Sequence, residues 1–303
     1  MPAPDGAAAL LAGLLTLLAG TLRLSLPVLI TSVGATFTEL GGVVNIGLEG
    51  MMLGGAFASA WAGTAWGPAA GIAAGIAAGG LLALVHALAA VRFRVDHIVS
   101  GVAVNLLAAG LVRIGSYQAF GTATTSGRVE GLPPLQVPYL GQVSPLVVVG
   151  FLLVLGAWYV QQRTPFGLRL RACGENPLAA DTLGVNVEAL RMAGVILSGM
   201  MAGLAGSYLV VELNHVYVEG MTQGRGYVAL AAMIFGNWTP AGAALASLLF
   251  GAAEALSIQA NVAIPYQFLE MVPYVVTLLV LAGVVRRSTP PAAVGTHYSR
   301  DDD

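Results

Sequence analysis

Asn45 and Glu49 stand four residues apart in an apolar run, the spacing that sets two side chains on one helical face. An ionised carboxylate at mid-bilayer costs a few kcal/mol even on lenient insertion scales, so this face turns inward to a solute pathway or a protein partner. The pair suits two chemistries: hydrogen bonding to a polar solute in passage, or tying this helix to a neighbour or to backbone freed at a helix break. Asn105 and His97 in a later run, Asn237, and Glu254 with Gln259 are the other polar groups in apolar surroundings, and Glu254 with Glu270 would suit an outer vestibule. The pathway candidates are Asn45, Glu49, Asn105 and Glu254.

No catalytic constellation accompanies them. His86 with Ser100, or His215 near Glu212, pairs a base with a polar partner, but no GxSxG-type motif frames a nucleophile. All 13 basic residues are Arg, which excludes a lysine-dependent phosphate loop and any Schiff base. A single Cys173 excludes an internal disulfide and thiolate clusters, and four scattered histidines without HExxH spacing give no metal site. The formal charge of −2 offers no basic face for nucleic acid.

The elements that must position these residues are membrane spans. Hydrophobic residues make up 57% of the 303 and charged residues 9%, far from a soluble composition. Apolar runs predict ten spans, at 7–22, 24–38, 43–60, 67–91, 97–116, 143–160, 191–212, 224–236, 240–258 and 267–285. Pro27 within the second and the 13-residue length of the eighth mark these two as broken or re-entrant, so eight or nine crossings are also compatible. The first run has no positive residue ahead of it, unlike a cleaved signal peptide, and reads as a retained span. One transmembrane domain over 1–288 follows, with a polar, disordered tail at 289–303. Small-xxx-small spacing at Gly50–Gly54, Gly71–Gly75–Gly79 and Gly199–Gly203 predicts close helix packing. With both termini inside, nine arginines fall on the cytoplasmic side and four (Arg23, Arg113, Arg128 and Arg225) outside, as the positive-inside rule favours. The Gly-, Pro- and Thr-rich segment Tyr117–Gln142 then faces outward.

On the same cytoplasmic side, the loop 161–191 holds seven of the 28 acidic and basic residues. Its centre, Glu175 to Gly184, is a short helix written between its own stop signals: Asn176 to cap, Pro177 at the first helical position, and Gly184 to end it in the left-handed conformation. Leu178 and Leu183 offer apolar contact, and Glu175 and Asp181 offer charge, for a partner that grips this element. A merely solvated connector is the alternative.

Three separated stretches are similar to one family. The run Glu39-Leu40-Gly41-Gly42-Val43-Val44-Asn45-Ile46-Gly47-Leu48-Glu49-Gly50 resembles the leading signature of membrane subunits of bacterial ABC importers in the nucleoside and simple-sugar branch. Gly174-Glu175-Asn176-Pro177 with Ala179-Ala180-Asp181, and Gly224-Arg225-Gly226-Tyr227 with Phe235-Gly236-Asn237-Trp238 and Pro240, follow in order. The similarity covers about Arg23 to Arg286 and looks like the shorter of two paralogous permeases in nucleoside uptake systems. It implies an all-α polytopic membrane protein of the type II-like importer fold, with about ten transmembrane helices, some short or broken. It also implies a second, longer permease, ATPase subunits gripping Glu175–Gly184 as a coupling helix, and an extracytoplasmic binding protein. The chain would hold no cofactor, ATP and Mg residing on the ATPase, and would carry a nucleoside-like substrate across the cell membrane. The rivals are a simple-sugar permease and a self-sufficient transporter using Glu49 or Glu254 as proton carrier.

Overall fold

A computed structural model describes residues 6–137, 141–259, 275 and 288–299. The expected span at 267–285 apart from position 275, with Glu270, Pro273, Arg286, Arg287 and Arg300, lies outside these residues. The described residues are mostly helical, with α1 (Gly6–Leu40), α2 (Leu48–Trp66), α3 (Pro68–Ala87), α4 (His97–Phe120), α5 (Pro145–Arg163), α6 (Pro165–Glu175), α7 (Pro177–Thr182), α8 (Val187–Tyr208), α9 (Arg225–Phe235) and α10 (Pro240–Gln259). Single π-helical turns extend α3 over Leu88–Arg92 and α8 over Leu209–Asn214. Among the described residues, six helices are long and apolar enough to cross a membrane: α1, α3, α4, α5, α8 and α10.

The expected spans 7–22 and 24–38 are one helix, α1, which continues through Pro27. Proline removes an N–H and orphans the carbonyl four residues back, that of Arg23. The Tyr208 hydroxyl donates to that carbonyl at 3.0 Å from a side chain 1% exposed, so the break Pro27 would cause is repaired by a neighbouring helix. The sequence holds no local sign of that donor.

At the centre, α2, α3 and α8 meet backbone to backbone. A Cβ added at Gly55 would lie 2.5 Å from the Gly203 Cα, and Gly75, Gly79 and Gly199 are closed off by Gly203, Gly199 and Ala83 in the same seam. This is the small-residue packing expected from the glycine spacing, extended to a three-helix seam that buries most of α8. Around it, α1 packs on α8, α9 and α10, while α4 rests mainly on α2 and leaves Leu106, Leu111 and Ile114 outward.

At one end of the bundle, β1 (Leu135–Val137) and β2 (Gly141–Val143) form an antiparallel hairpin, with Gln136 opposite Gln142. Segment 124–129 there pairs with 215–219 through Ser126 N–H to Tyr217 O (3.0 Å) and Val129 N–H to His215 O (2.8 Å). At the opposite end lie α6, α7 and residues 288–299. Those last residues, expected as a disordered tail through position 303, instead pack as a strap. Ala293 N–H donates to Gly174 O at 2.8 Å, Gly295 N–H to Gly42 O at 3.0 Å, and Thr289 N–H to Asn237 Oδ1 at 3.0 Å. Residues 300–303 lie outside the description.

Candidate functional site

Between α1 and α2 the chain runs non-helical for seven residues, Gly41 to Gly47, beside apolar spans. Free backbone groups are costly there; the amides of Gly41, Gly42 and Val43 turn back onto the carbonyls of Thr38 and Glu39, and several groups beyond them find side chains. The Val44 carbonyl accepts from His86 Nε2 at 3.1 Å, which leaves His86 Nδ1 to accept from the Ser100 hydroxyl at 2.9 Å. The Val44 N–H donates to His97 Nδ1 at 3.3 Å, so His97 carries its hydrogen on Nε2. Asn45 Oδ1 accepts from Gly47 N–H at 3.1 Å. Asn105 serves both sides of the break, its Oδ1 accepting from Gly50 N–H at 2.7 Å and its Nδ2 donating to Ile46 O at 3.0 Å.

This corrects one expectation. Asn45 precedes α2 and Glu49 lies in its first turn, so the two do not share a helical face. The fourfold spacing suggested continuous helix because Gly41, Gly42 and Gly47 are the only local signs of the break.

Glu49 reaches instead to a second helix start. Its Oε1 accepts from Gly224 N–H at 2.9 Å and its Oε2 from Gly226 N–H at 2.7 Å. Gly224, the N-cap of α9, has no capping side chain, so the carboxylate of another helix supplies the cap and meets the positive end of the α9 dipole. Gly226 is required by close approach: a Cβ there would fall 2.5 Å from the Glu49 N. Next to it, Arg225 Nη2 pairs with Glu254 Oε1 at 2.8 Å, and Asn105 Nδ2 also donates to Tyr227 Oη at 3.0 Å. Thus Glu49, Asn105 and Glu254 gather around the start of α9, while Asn45 stays behind at the start of α2. At 1.5 Å per residue, Asn105 lies ~12 Å beyond the start of α4, Arg225 ~15 Å before the end of α9 and Glu254 ~21 Å beyond the start of α10. Those ends share one layer of the bundle, so the cluster sits near mid-depth of a hydrocarbon core of about 30 Å.

That end layer carries the capped element. Asn176 Oδ1 accepts from Ala179 N–H at 3.0 Å, and Gly184 takes φ +81° as its N–H donates to Asp181 O at 2.8 Å. The helix between them, α7, is the one predicted; the preceding α6, begun by Pro165 and capped by Thr164, was expected as loop. Leu183 is 84% exposed and Leu178 is exposed, whereas Ala180 packs into Cys173 and Val187. Burial pushes the Cys173 thiol above its ordinary pKa. Glu175 Oε2 accepts from Ala292 N–H at 3.4 Å, turning that side chain to the strap.

Three residues central to this layer escaped sequence reasoning. Arg191, 2% exposed, donates to Cys173 O at 3.3 Å and Thr296 O at 2.9 Å, which locks α6, α8 and the strap together. Glu39 Oε2 accepts from Trp238 Nε1–H at 2.6 Å and pins the 236–239 turn to the end of α1. A buried charge and a tryptophan donor were each visible as residues, but Arg191 meets Thr296 105 positions away and Trp238 meets Glu39 199 positions away.

The family model described as "Branched-chain amino acid transport system / permease component" matches residues 17–281. The guanosine ABC transporter permease protein NupQ of Bacillus subtilis (strain 168) is 38% identical, over 92% of this chain and 94% of its own. The nucleoside ABC transporter permease protein NupC of Lactococcus lactis subsp. cremoris (strain MG1363) is 40% identical over 93% and 96%. The putative glucose ABC transporter permease protein TsgC13 of Haloferax volcanii is 31% identical over 95% and 98%.

Proposed function

Since the chain belongs to the branched-chain amino acid transport system / permease component family, we propose that it is the membrane-spanning subunit of an ATP-driven ABC importer that carries a nucleoside or related purine or pyrimidine compound. It is a multi-pass membrane subunit and a transport component rather than an enzyme. The observation that carries the substrate class is end-to-end identity of 38–40% to permeases named for guanosine and nucleosides. A simple sugar is the second reading, favoured by the more distant relative named for glucose. The self-sufficient proton-coupled reading is set aside, because whole-length relatives are ABC permeases and because Glu49 and Glu254 are engaged by backbone amides and by Arg225.

In this reading, Glu175–Gly184 is the coupling helix. Asn176 and Gly184 keep it folded, Leu178 and Leu183 enter a cleft of the ATPase, and Arg191 with the strap passes its displacement to the α1–α2 break. The break and the start of α9 form the pathway wall with Asn45, Glu49, Asn105 and Glu254, and two discontinuous helices meeting at mid-depth are a recurrent transporter device. About ten spans in a type II-like arrangement, one domain over 1–288, and cytoplasmic termini in the cell membrane complete the proposal. So do a longer second permease, a binding protein, and ATP with Mg on the partner. Two guanosine permeases, NupP and NupQ, are named in Bacillus subtilis, and NupP is 27% identical to this chain, which supports a pair of unlike permeases.

The test is reconstitution in vesicles with ATPase, second permease and loaded binding protein, followed by uptake of labelled guanosine, adenosine, uridine and ribose. ATP-dependent entry of the nucleosides is expected. Entry of ribose alone would move the substrate to sugars, and uptake by this chain alone would remove the ABC reading.

A further inference from the structure

Along the start of α9 the protein shows an unusual membrane face. Tyr227 is 47% exposed in the first turn of α9, beside the carboxylate of Glu49 and the amide of Asn105, both only partly covered. The side chains of Arg225 and Glu254 next to them are 15% and 29% exposed, and Gln223 is exposed. The helix-rise counts above place this group near mid-depth, where lipid cannot solvate a carboxylate, a guanidinium and an amide. This face is therefore turned to water or protein.

On that face the aromatic ring is held, not loose. Asn105 has its orientation fixed, because Gly50 N–H needs its oxygen and Ile46 C=O needs its nitrogen. Its second amide hydrogen then goes to Tyr227 Oη. The hydroxyl is used as an acceptor and retains its own hydrogen for an outward acceptor. Gly224 at φ +78° and Gly226 against Glu49 set the backbone that carries the ring. The result is a flat apolar surface with one donor at its edge, beside an anchored carboxylate, and this suits a planar heterocycle that stacks on the ring and accepts the phenolic hydrogen.

We propose that Tyr227 is a specificity-determining residue of the translocation pathway, which receives the base of the nucleoside by stacking while Asn105 positions the ring. This rests on the nucleoside reading above and adds the contact that distinguishes base from sugar.

The experiment uses the complete reconstituted complex with saturating binding protein. Tyr227→Leu should lower the rate of nucleoside transport about 5- to 150-fold, the range that loss of one base–aromatic stack produces. Tyr227→Phe, which keeps the ring, should stay within a few-fold of wild type. Photoactivation of 8-azidoadenosine during turnover by the wild-type complex should label the peptide that contains Tyr227. Wild-type transport by Tyr227→Leu, or a label confined to other peptides of this chain, overturns the proposal even where nucleosides are carried. If Tyr227→Leu does not assemble, the label on wild type decides alone. A wild-type complex that carries ribose and no nucleoside overturns the underlying reading instead, so the two failures are distinct.

Discussion

Replacement of Glu49 tests whether its carboxylate is a helix cap or a proton carrier. In Glu49→Ala, the amides of Gly224 and Gly226 lose both acceptors at 2.9 and 2.7 Å. An unsatisfied buried donor costs about 1–3 kcal/mol, so two cost about 2–6 kcal/mol. Glu49→Gln keeps one acceptor oxygen and turns an NH2 toward the other amide. It loses one charge-assisted bond, about 1.5–3 kcal/mol, together with about 0.3–1 kcal/mol of favourable interaction with the α9 dipole. The expected cost is thus about 2–4 kcal/mol for Gln, with Ala similar or worse. The assay is thermal unfolding of the detergent-solubilised complex, with limited proteolysis between 215 and 226 as the local readout. Both variants should unfold several degrees lower and become sensitive in that segment. A proton carrier gives the opposite pattern, because Gln mimics the protonated acid and should leave stability intact while changing the pH dependence of uptake. Full stability and protection in Glu49→Gln would refute the capping argument.

Tyr208→Phe removes the hydroxyl that serves the Arg23 carbonyl behind Pro27, and should cost about 1–3 kcal/mol, read as a lower unfolding temperature. Adding Pro27→Ala should recover part of that loss, since α1 then makes its own bond. Bulky apolar replacement of Asn176 and Gly184 together should leave membrane insertion intact while ATP hydrolysis no longer drives uptake; unchanged transport would count against the coupling role. Asp96 caps α4, and the amides of Val99 and then Ile98 hold its carboxyl below the usual carboxylate range. Because its folded pKa is depressed, its contribution is complete above the unfolded carboxylate pKa and is lost as pH falls through the lower folded value. Acid titration of Asp96→Asn should therefore show a flatter stability loss in that window than wild type. Cys173, buried with a thiol pKa raised by that burial, should resist maleimide in the folded protein and react once the protein is unfolded.

Much of this was legible because it is local. The cap at Asn176, the proline after it and the left-handed Gly184 are chemistry within ten residues, and α7 forms where they place it. Apolar composition likewise marked the helices long enough to cross a membrane, six among the described residues, though not the ten separate spans it suggested, and the family signature marked the residues around Glu49 and Gly226. What failed depends on distant partners. Pro27 reads as a stop until Tyr208 is known to stand beside it. Asn45 and Glu49 read as one face until His86, His97 and Asn105 are seen to hold an extended segment between them. The polar end at 289–299 reads as unfolded because its partners, the carbonyls of Gly42 and Gly174 and the side chains of Glu175, Arg191 and Asn237, all lie far away in the chain.

The glycine seam of α2, α3 and α8 also limits how the molecule can move. Side chains that interdigitate can change rotamer and let two helices slide, but at Gly55 and Gly203 there is nothing to re-pack and no slack to take up. These three helices must travel as a single block. Under the coupling role proposed for α7, a push at that end would be carried by this block, with bending left to the places where the ladder is already irregular: the 41–47 gap and the π turns at Leu88–Arg92 and Leu209–Asn214. In that proposal the seam would serve as the lever arm and the irregular turns as its pivots.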